Sequence, residues 1–110
     1  MLRIILMEED QEVIQTMTSI CSTWTQEPME FVSYEQSLTG TILLAKVTLH
    51  QKNQVPFVQQ IKHKHPHMKI IFYSNNIEDA LTTYEVEHEY FFMLQDANNG
   101  LPKALERALH

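Results

Sequence analysis

Residues 4–10 read IILMEED. Four apolar residues run straight into three acids. The preceding LRIILM, residues 2–7, has the length of a strand and ends where polar residues begin. Glu8, Glu9 and Asp10 therefore sit at the C-terminal end of a buried strand. A second run, TILLAKVTL at 41–49, is also apolar but carries a lysine, Lys46, near its end. The unbroken apolar character of TILLAKV fits a parallel strand covered on both faces.

Three more strand-like runs and four helical stretches complete the pattern. DQEVIQTMTSICSTW places Val13, Met17, Ile20 and Trp24 at helical spacing. Asp10 is its expected N-cap, with Glu12 suited to the positive helix end. Pro28 stops that helix, and MEFVSY reads as the second strand. VPFVQQIKHKH is helical, with Val55, Val58 and Ile61 in one stripe and Pro56 in the first turn, where proline is tolerated. Pro66 ends it, and MKIIFYS is the fourth strand. NIEDALTTYEVE is an expected helix with Ile77, Leu81 and Tyr84 in register. YFFML is the fifth strand. GLPKALERAL closes as a helix with Leu101, Leu105 and Leu109 on one side.

Strand and helix alternate through five strands, which predicts an α/β fold with helices on both faces of a parallel sheet. Right-handed crossovers favour a doubly wound, flavodoxin-like arrangement with strand order 2-1-3-4-5. One link is short. Only the six residues EQSLTG separate FVSY from TILLA, whereas a parallel crossover usually needs a dozen or more. Either the second helix is reduced or missing, or the strand is shorter than drawn.

Composition narrows the function. The chain has 110 residues, one ordinary domain, with 44% apolar residues and a formal charge of −6. That charge argues against direct nucleic-acid binding, which needs clustered Lys and Arg. The single cysteine, Cys21, forms no internal disulfide and reads as a small core residue, consistent with a cytoplasmic setting. No apolar run approaches a membrane span, and no signal peptide is evident. HKHPH at 63–67 brings three histidines together. A metal site is conceivable there, but polar and cationic residues favoured at a helix C-terminus are the better reading.

Open parallel sheets bind ligands at the C-terminal ends of their strands. Those ends carry Glu8 and Glu9, Lys46, Ser74, and Leu94 or Met93. Two carboxylates, a lysine and a hydroxyl would then share one pocket, and paired carboxylates make a hard-cation site of the Mg²⁺ type. Glu9 and Asp10 also have the plainer reading of helix caps, and Lys46 that of a snorkelling lysine.

These pieces together resemble a bacterial response-regulator receiver domain (CheY-like). They are closest to the LytTR class of quorum-sensing regulators, the AgrA/ComE type. IILMEEDQEV is similar to that class's opening strand and acidic signature, EPMEFVSYEQ to its second strand, and LLAKVTL to its phosphoacceptor strand. HPHMKIIFYSNN is similar to the fourth strand with its switch hydroxyl, and YEVEHEYFFMLQD to the stretch entering the fifth strand. The resemblance covers the whole chain and implies residues 1–110 as one receiver-like domain, with any C-terminal LytTR DNA-binding domain absent.

The resemblance also implies a site. Receivers hold Mg²⁺ on an acidic pair plus an aspartate, which accepts a phosphoryl group from a histidine kinase. A hydroxyl and a lysine then read the phosphate. Here Glu8 and Glu9 match the acidic pair, with Asp10 beside them, and Ser74 matches the switch hydroxyl. The phosphoacceptor position falls on Lys46, and the readout-lysine position on Leu94 or, in the neighbouring register, Met93. An ammonium cannot form an acyl phosphate, so the resemblance implies a pseudo-receiver. No catalytic residue and no cofactor are expected, and Mg²⁺ binding, if any, would be weakened and fall on Glu8 and Glu9. A Lys46 ion pair with Glu8 or Glu9 is expected to lock one conformation. The output face would draw on Ile77, Ala80, Tyr84, Tyr90, Lys103 and Arg107, making a homodimer or meeting a partner regulatory protein, with DNA reached only through a separate domain. Two alternatives stand beside this: a stand-alone assembly module, and a small Mg²⁺-dependent phosphatase using Glu8, Glu9 and Asp10.

Overall fold

A computed structural model of the chain describes residues 2–110. Seven strands occur in chain order: β1 (Leu2–Met7), β2 (Met29–Ser33), β3 (Ile42–Lys46), β4 (Thr48–Leu49), β5 (Lys52–Asn53), β6 (Lys69–Ser74) and β7 (Tyr90–Met93). Strands β4 and β5 form a separate antiparallel hairpin. The other five form one sheet in the order β2-β1-β3-β6-β7, every pairing parallel. With the hairpin set aside, this is the 2-1-3-4-5 order expected from the sequence. The helices are α1 (Gln11–Trp24), α2 (Val55–Lys64) and α3 (Ala97–Leu109).

Alternation of side chains along each strand divides the core in two. Ile4, Leu6, Ile42, Leu44, Ile71 and Tyr73 point to the side covered by α1 and α3, where Met17, Cys21, Leu101 and Leu105 are buried. Ile5, Met7, Leu43, Ala45, Ile70 and Phe72 point the other way, onto Val55, Val58 and Ile61 of α2. Both faces of the sheet are therefore dry, which is why its strands are apolar without alternation. Burial pushes the Cys21 thiol up to about 12, as befits a core residue.

The second helix is missing. Residues 34–41 return from the end of β2 to the start of β3 as a turn followed by an irregular strap. Tyr34 and Leu38 of the strap pack on the α2-side core, where a helix would have lain. Eight residues can reach ~26 Å when extended, longer than the five-residue strand they run back along. The strap hugs β1: Tyr34 N donates to Leu6 O and Thr41 N to Arg3 O. A Cβ on Gly40 would lie 3.0 Å from Arg3 O and from an Ile5 side-chain carbon, so glycine permits this approach.

Two expected helices differ from their reading. The stretch after β6 is a 3-10 helix over Ile77–Glu85, not an α-helix, and its in-register Ile77, Leu81 and Tyr84 are 63%, 72% and 80% exposed. Helix α3 starts at Ala97, before the expected Gly100, after a short 3-10 turn at Leu94–Asp96. Pro102 is the sixth residue of α3, so it lies inside the helix and removes the hydrogen bond that its N–H would make to the Asn98 carbonyl.

Gly100 faces β7, and a Cβ there would stand 2.5 Å from Phe92 Cβ. Gly100→Ala gains helix propensity of about 1 kcal/mol but forces α3 off the sheet. We expect a net loss of about 1–3 kcal/mol, as for other overpacked cores. A urea melt read by far-UV circular dichroism measures it, and an unchanged midpoint would contradict this packing.

Candidate functional site at the C-terminal ends of the strands

The strand parity that splits the core also splits the site. Leu6, Leu44 and Tyr73 face α1 and α3, so Glu8 and Lys46, two residues further along their strands, face the same way. Glu8 is buried at 4% exposure. Its Oε1 accepts from the Tyr73 hydroxyl at 2.6 Å and lies 3.7 Å from Lys46 Nζ. Its Oε2 accepts from the backbone N–H of Glu9 at 3.0 Å and of Asp10 at 3.1 Å. Three hydrogen bonds and one ammonium thus occupy the roughly four acceptor directions of a carboxylate. Two unit charges at the Lys46–Glu8 separation attract by about 4 kcal/mol at an effective dielectric of ~20, before desolvation is subtracted. Lys46 is the neighbour of Tyr73 in the β3–β6 register, so both reach Glu8 from adjoining strands.

Glu9 does not join Glu8. Its carboxylate turns outward, accepting from Tyr34 OH at 2.9 Å and meeting His50 Nε2 at 2.5 Å. The hydrogen bond from His50, then that from Tyr34, holds the Glu9 carboxyl below its usual range. Desolvation first, and the Glu9 carboxylate second, push the Tyr34 hydroxyl up to about 12. Burial, then Glu8, also raises Tyr73. His50 and Gln51 form the two-residue turn of the β4–β5 hairpin, both with positive φ of 53° and 63°. Such turns normally take Asn-Gly; here the His50–Glu9 contact ties the turn to the end of β1.

Asp10 is the N-cap of α1, as read from the sequence, its Oδ1 accepting from Glu12 N and Val13 N. Ser74 stands apart from Glu8 and Lys46. Its parity is that of Ile70 and Phe72, on the α2 side. There its hydroxyl donates to Asp79 Oδ2 at 2.5 Å, and the Thr48 hydroxyl donates to the same oxygen at 3.1 Å. The single shared pocket expected from the strand ends is therefore three separate polar clusters. Leu94 directly follows β7 and packs half-buried against the α1/α3-side core, and Met93 pairs with Ser74 in the sheet.

Tested as a cradle for a divalent cation, this donor set does not fit. Glu8 has its acceptor directions filled, Glu9 points to Tyr34 and His50, and the Lys46 ammonium 3.7 Å from Glu8 repels a second cation. Among the described residues no group of three His, Cys, Asp or Glu is arranged to hold a metal. The histidines of HKHPH close α2 instead: His63 lies in its last turn and His65 is its C-cap.

Of the expected output face, Tyr90, Lys103 and Arg107 come together. Arg107 lies 5.9 Å over the Tyr90 ring and its Nε donates to Glu89 O. Ile77 and Tyr84 project from the 3-10 helix into solvent, and Ala80 is half-buried. Sequence reasoning missed Tyr73, Tyr34, His50, Thr48 and Asp79. Tyr73 carried a signal: a phenol two residues beyond Ile71 on the Glu8 side of a buried strand must find a partner. For His50 and for the Thr48–Asp79 contact no local signal exists, since the partners lie 41 and 31 residues apart in the chain.

This is the flavodoxin-like fold of response-regulator receiver domains. The response regulator RcsB of Salmonella typhimurium superposes with a TM-score of 0.77 at 17% identity, over 96% of this chain and 58% of that one. A LuxR-family DNA-binding response regulator from Staphylococcus aureus gives 0.76 at 10% identity, over 98% of each chain. A response regulator receiver domain protein from Clostridium thermocellum gives 0.73 at 12% identity, over 99% of this chain and 94% of that one. No family model matches the sequence, and no curated protein matches it.

Two predictions follow from the tyrosines. Tyr73→Phe keeps the stacking on Phe92 but strips a buried donor from Glu8. We expect a loss of about 1–3 kcal/mol in unfolding free energy, and a midpoint equal to the parent's would show that Glu8 does not depend on the phenol. Tyr34 and Tyr73 have folded pKa values raised above the unfolded value of about 10. Their contribution to stability is whole below that pH; Tyr34's is lost as pH rises from about 10 through about 12, and Tyr73's continues to fall above that. Tyrosinate absorbance should therefore show two of the four tyrosines resisting ionisation until the fold opens. Full titration of all four near pH 10 in a folded chain would refute it.

Proposed function

We propose that this chain is a signal-transduction regulatory domain of the two-component response-regulator kind that works without phosphotransfer. It acts through protein–protein contact or dimerisation to control transcription. The observation that carries this reading is the Lys46–Glu8–Tyr73 cluster. Lys46 occupies the position that the LytTR-class resemblance assigns to the phosphoacceptor aspartate, and its ammonium lies 3.7 Å from a carboxylate that also accepts from Tyr73 and two backbone amides. A lysine there supplies permanently the positive charge that a bound cation supplies in a working receiver. Leu94, or Met93, at the readout position removes the cation that would sense a phosphate. The Ser74 hydroxyl is already committed to Asp79. On this reading the domain is not an enzyme, holds no cofactor, and works in the cytoplasm. No described helix is long and apolar enough to cross a membrane.

Its partner is a second copy or another regulatory protein, met through the face that includes Tyr84, Tyr90, Lys103 and Arg107. DNA would be reached only through a separate domain, as the net charge of −6 suggests. A plain assembly module is the second reading, favoured by the exposure of Ile77, Leu81 and Tyr84. It differs in giving Lys46 a role in stability alone.

The test is an amide NMR titration with Mg²⁺ followed by beryllofluoride, a phosphoryl mimic. Resonances around Glu8, Glu9, Lys46 and Ser74 should stay in place through low-millimolar Mg²⁺ and after the fluoride is added. Saturable shifts at those residues would overturn the proposal, because they would mean that the phosphoryl pocket still works.

A further inference from the structure

Residues 77–85 form a 3-10 helix nine residues long. Runs of this kind beyond three or four residues are uncommon, because their hydrogen bonds are poorly aligned and side chains eclipse every third residue. The sequence of the segment belongs to a different helix. Ile77, Ala80, Leu81 and Tyr84 stand at i, i+3, i+4 and i+7, the stripe of an α-helix. In the observed 3-10 winding that stripe is broken. With about three residues per turn, Ile77 and Ala80 fall in one column with buried Thr83, and Leu81 and Tyr84 fall ~120° away in a column with Glu78.

The ends of the segment explain why it is overwound. Near its start, the Asp79 carboxylate is fixed by two hydroxyls, Ser74 of β6 and Thr48 of β4. Near its end, Thr83 and Val86 are buried at 1% and 4% exposure, and Glu89 N is bonded to Ile70 O on β6. Seven steps separate Asp79 from Val86. A 3-10 helix covers them in ~14 Å and an α-helix in ~10.5 Å. Fastened at both ends, the segment takes the longer form. Thr82 and Thr83 reinforce it by donating their hydroxyls to the carbonyls of Asp79 and Ala80, each three residues back.

We infer that residues 77–85 are a two-state segment held in its 3-10 form by the Asp79 clasp, and that release of Asp79 from Ser74 and Thr48 converts it to an α-helix with one continuous apolar stripe. In the α form Asp79, Thr83 and Val86 stand at i, i+4 and i+7, on the side opposite Ile77, Ala80, Leu81 and Tyr84. Thr83 and Val86 can therefore stay in the core while the released Asp79 end draws ~3.5 Å toward them. The conversion changes whether the exposed apolar groups act as two patches or as one. This inference stands on the 77–85 segment and its anchors, and is independent of whether the domain takes up phosphate.

The test uses the full chain and two separate ways of opening the clasp, Asp79→Ala and Ser74→Ala, read by medium-range NOEs and ¹³Cα shifts across 77–85. The parent should show contacts between i and i+2, the 3-10 signature. Both variants should show contacts between i and i+4 over 77–85, with ¹³Cα shifts moving toward α-helical values and the sheet resonances unmoved. An α pattern in the parent overturns the inference. So does retention of the 3-10 pattern in both variants, or loss of all medium-range contacts in both.

Discussion

One buried carboxylate sets the arrangement at the top of the sheet. Glu8 continues a strand whose last four residues, Ile4 to Met7, are enclosed, so its side chain enters a dry space on the α1/α3 side. An anion there is tolerated only with donors and a counter-charge. Two donors come free, because the chain turns at once into α1 and the amides of Glu9 and Asp10 point back. The other two must come from neighbouring strands, and the β3–β6 register brings Lys46 and Tyr73 side by side to supply them. Breaking a buried pair by removing one member typically costs about 3–5 kcal/mol. The cluster thus couples three adjacent strands through one side chain.

Residues at neighbouring strand ends need not cooperate. Ser74 and Lys46 lie at the ends of adjacent strands, yet their side chains belong to opposite faces, because Ser74 shares parity with Phe72 and Lys46 with Leu44. Each face then completes its own polar chemistry. On one side it is Glu8 with Lys46 and Tyr73; on the other it is Asp79 with Ser74 and Thr48. Glu9 makes a third cluster at the rim with Tyr34 and His50. A list of strand-end residues cannot reveal this division, which follows only when parity is counted from the buried residues beneath them.

The same distinction explains what was legible in the sequence. Strand identity, strand order and the α1 cap were readable, because apolar runs, proline stops and an Asp before an amphipathic stretch are local signals. Helix α2 was readable from Val55, Val58 and Ile61. The missing second helix was foreshadowed by chain length alone, since the six residues EQSLTG are too few for a full crossover helix, though they left a single turn or a shorter strand open. The 77–85 segment departs from its reading because its α-period apolar pattern is real but faces solvent, and its inward contacts, Thr48 on Asp79 and the burial of Thr83, come from elsewhere in the fold. The Lys46–Glu8 contact was foreseeable from strand ends, whereas Tyr73, His50 and Asp79 act through register and a non-glycine turn that no local pattern encodes.

The two irregular connections lie on one face. The strap at 34–41 and the 3-10 helix at 77–85 both flank α2, while α1 and α3 pack as regular helices on the other side. The α1/α3 face is held by large buried apolar contacts, including the stacked Tyr73–Phe92 pair. The flanks of α2 add polar clasps to a smaller apolar footing of Leu38 and Val86: Tyr34 and His50 on Glu9, and Thr48 and the buried Ser74 on Asp79. Apolar burial resists opening in proportion to area, whereas polar clasps near solvent exchange readily with water. Local opening is therefore expected to cost least at these two flanking segments, while the two apolar cores beneath α2 and beneath α1 and α3 stay closed. The loss of the second helix thus leaves the core on that face intact and changes only what holds its edges.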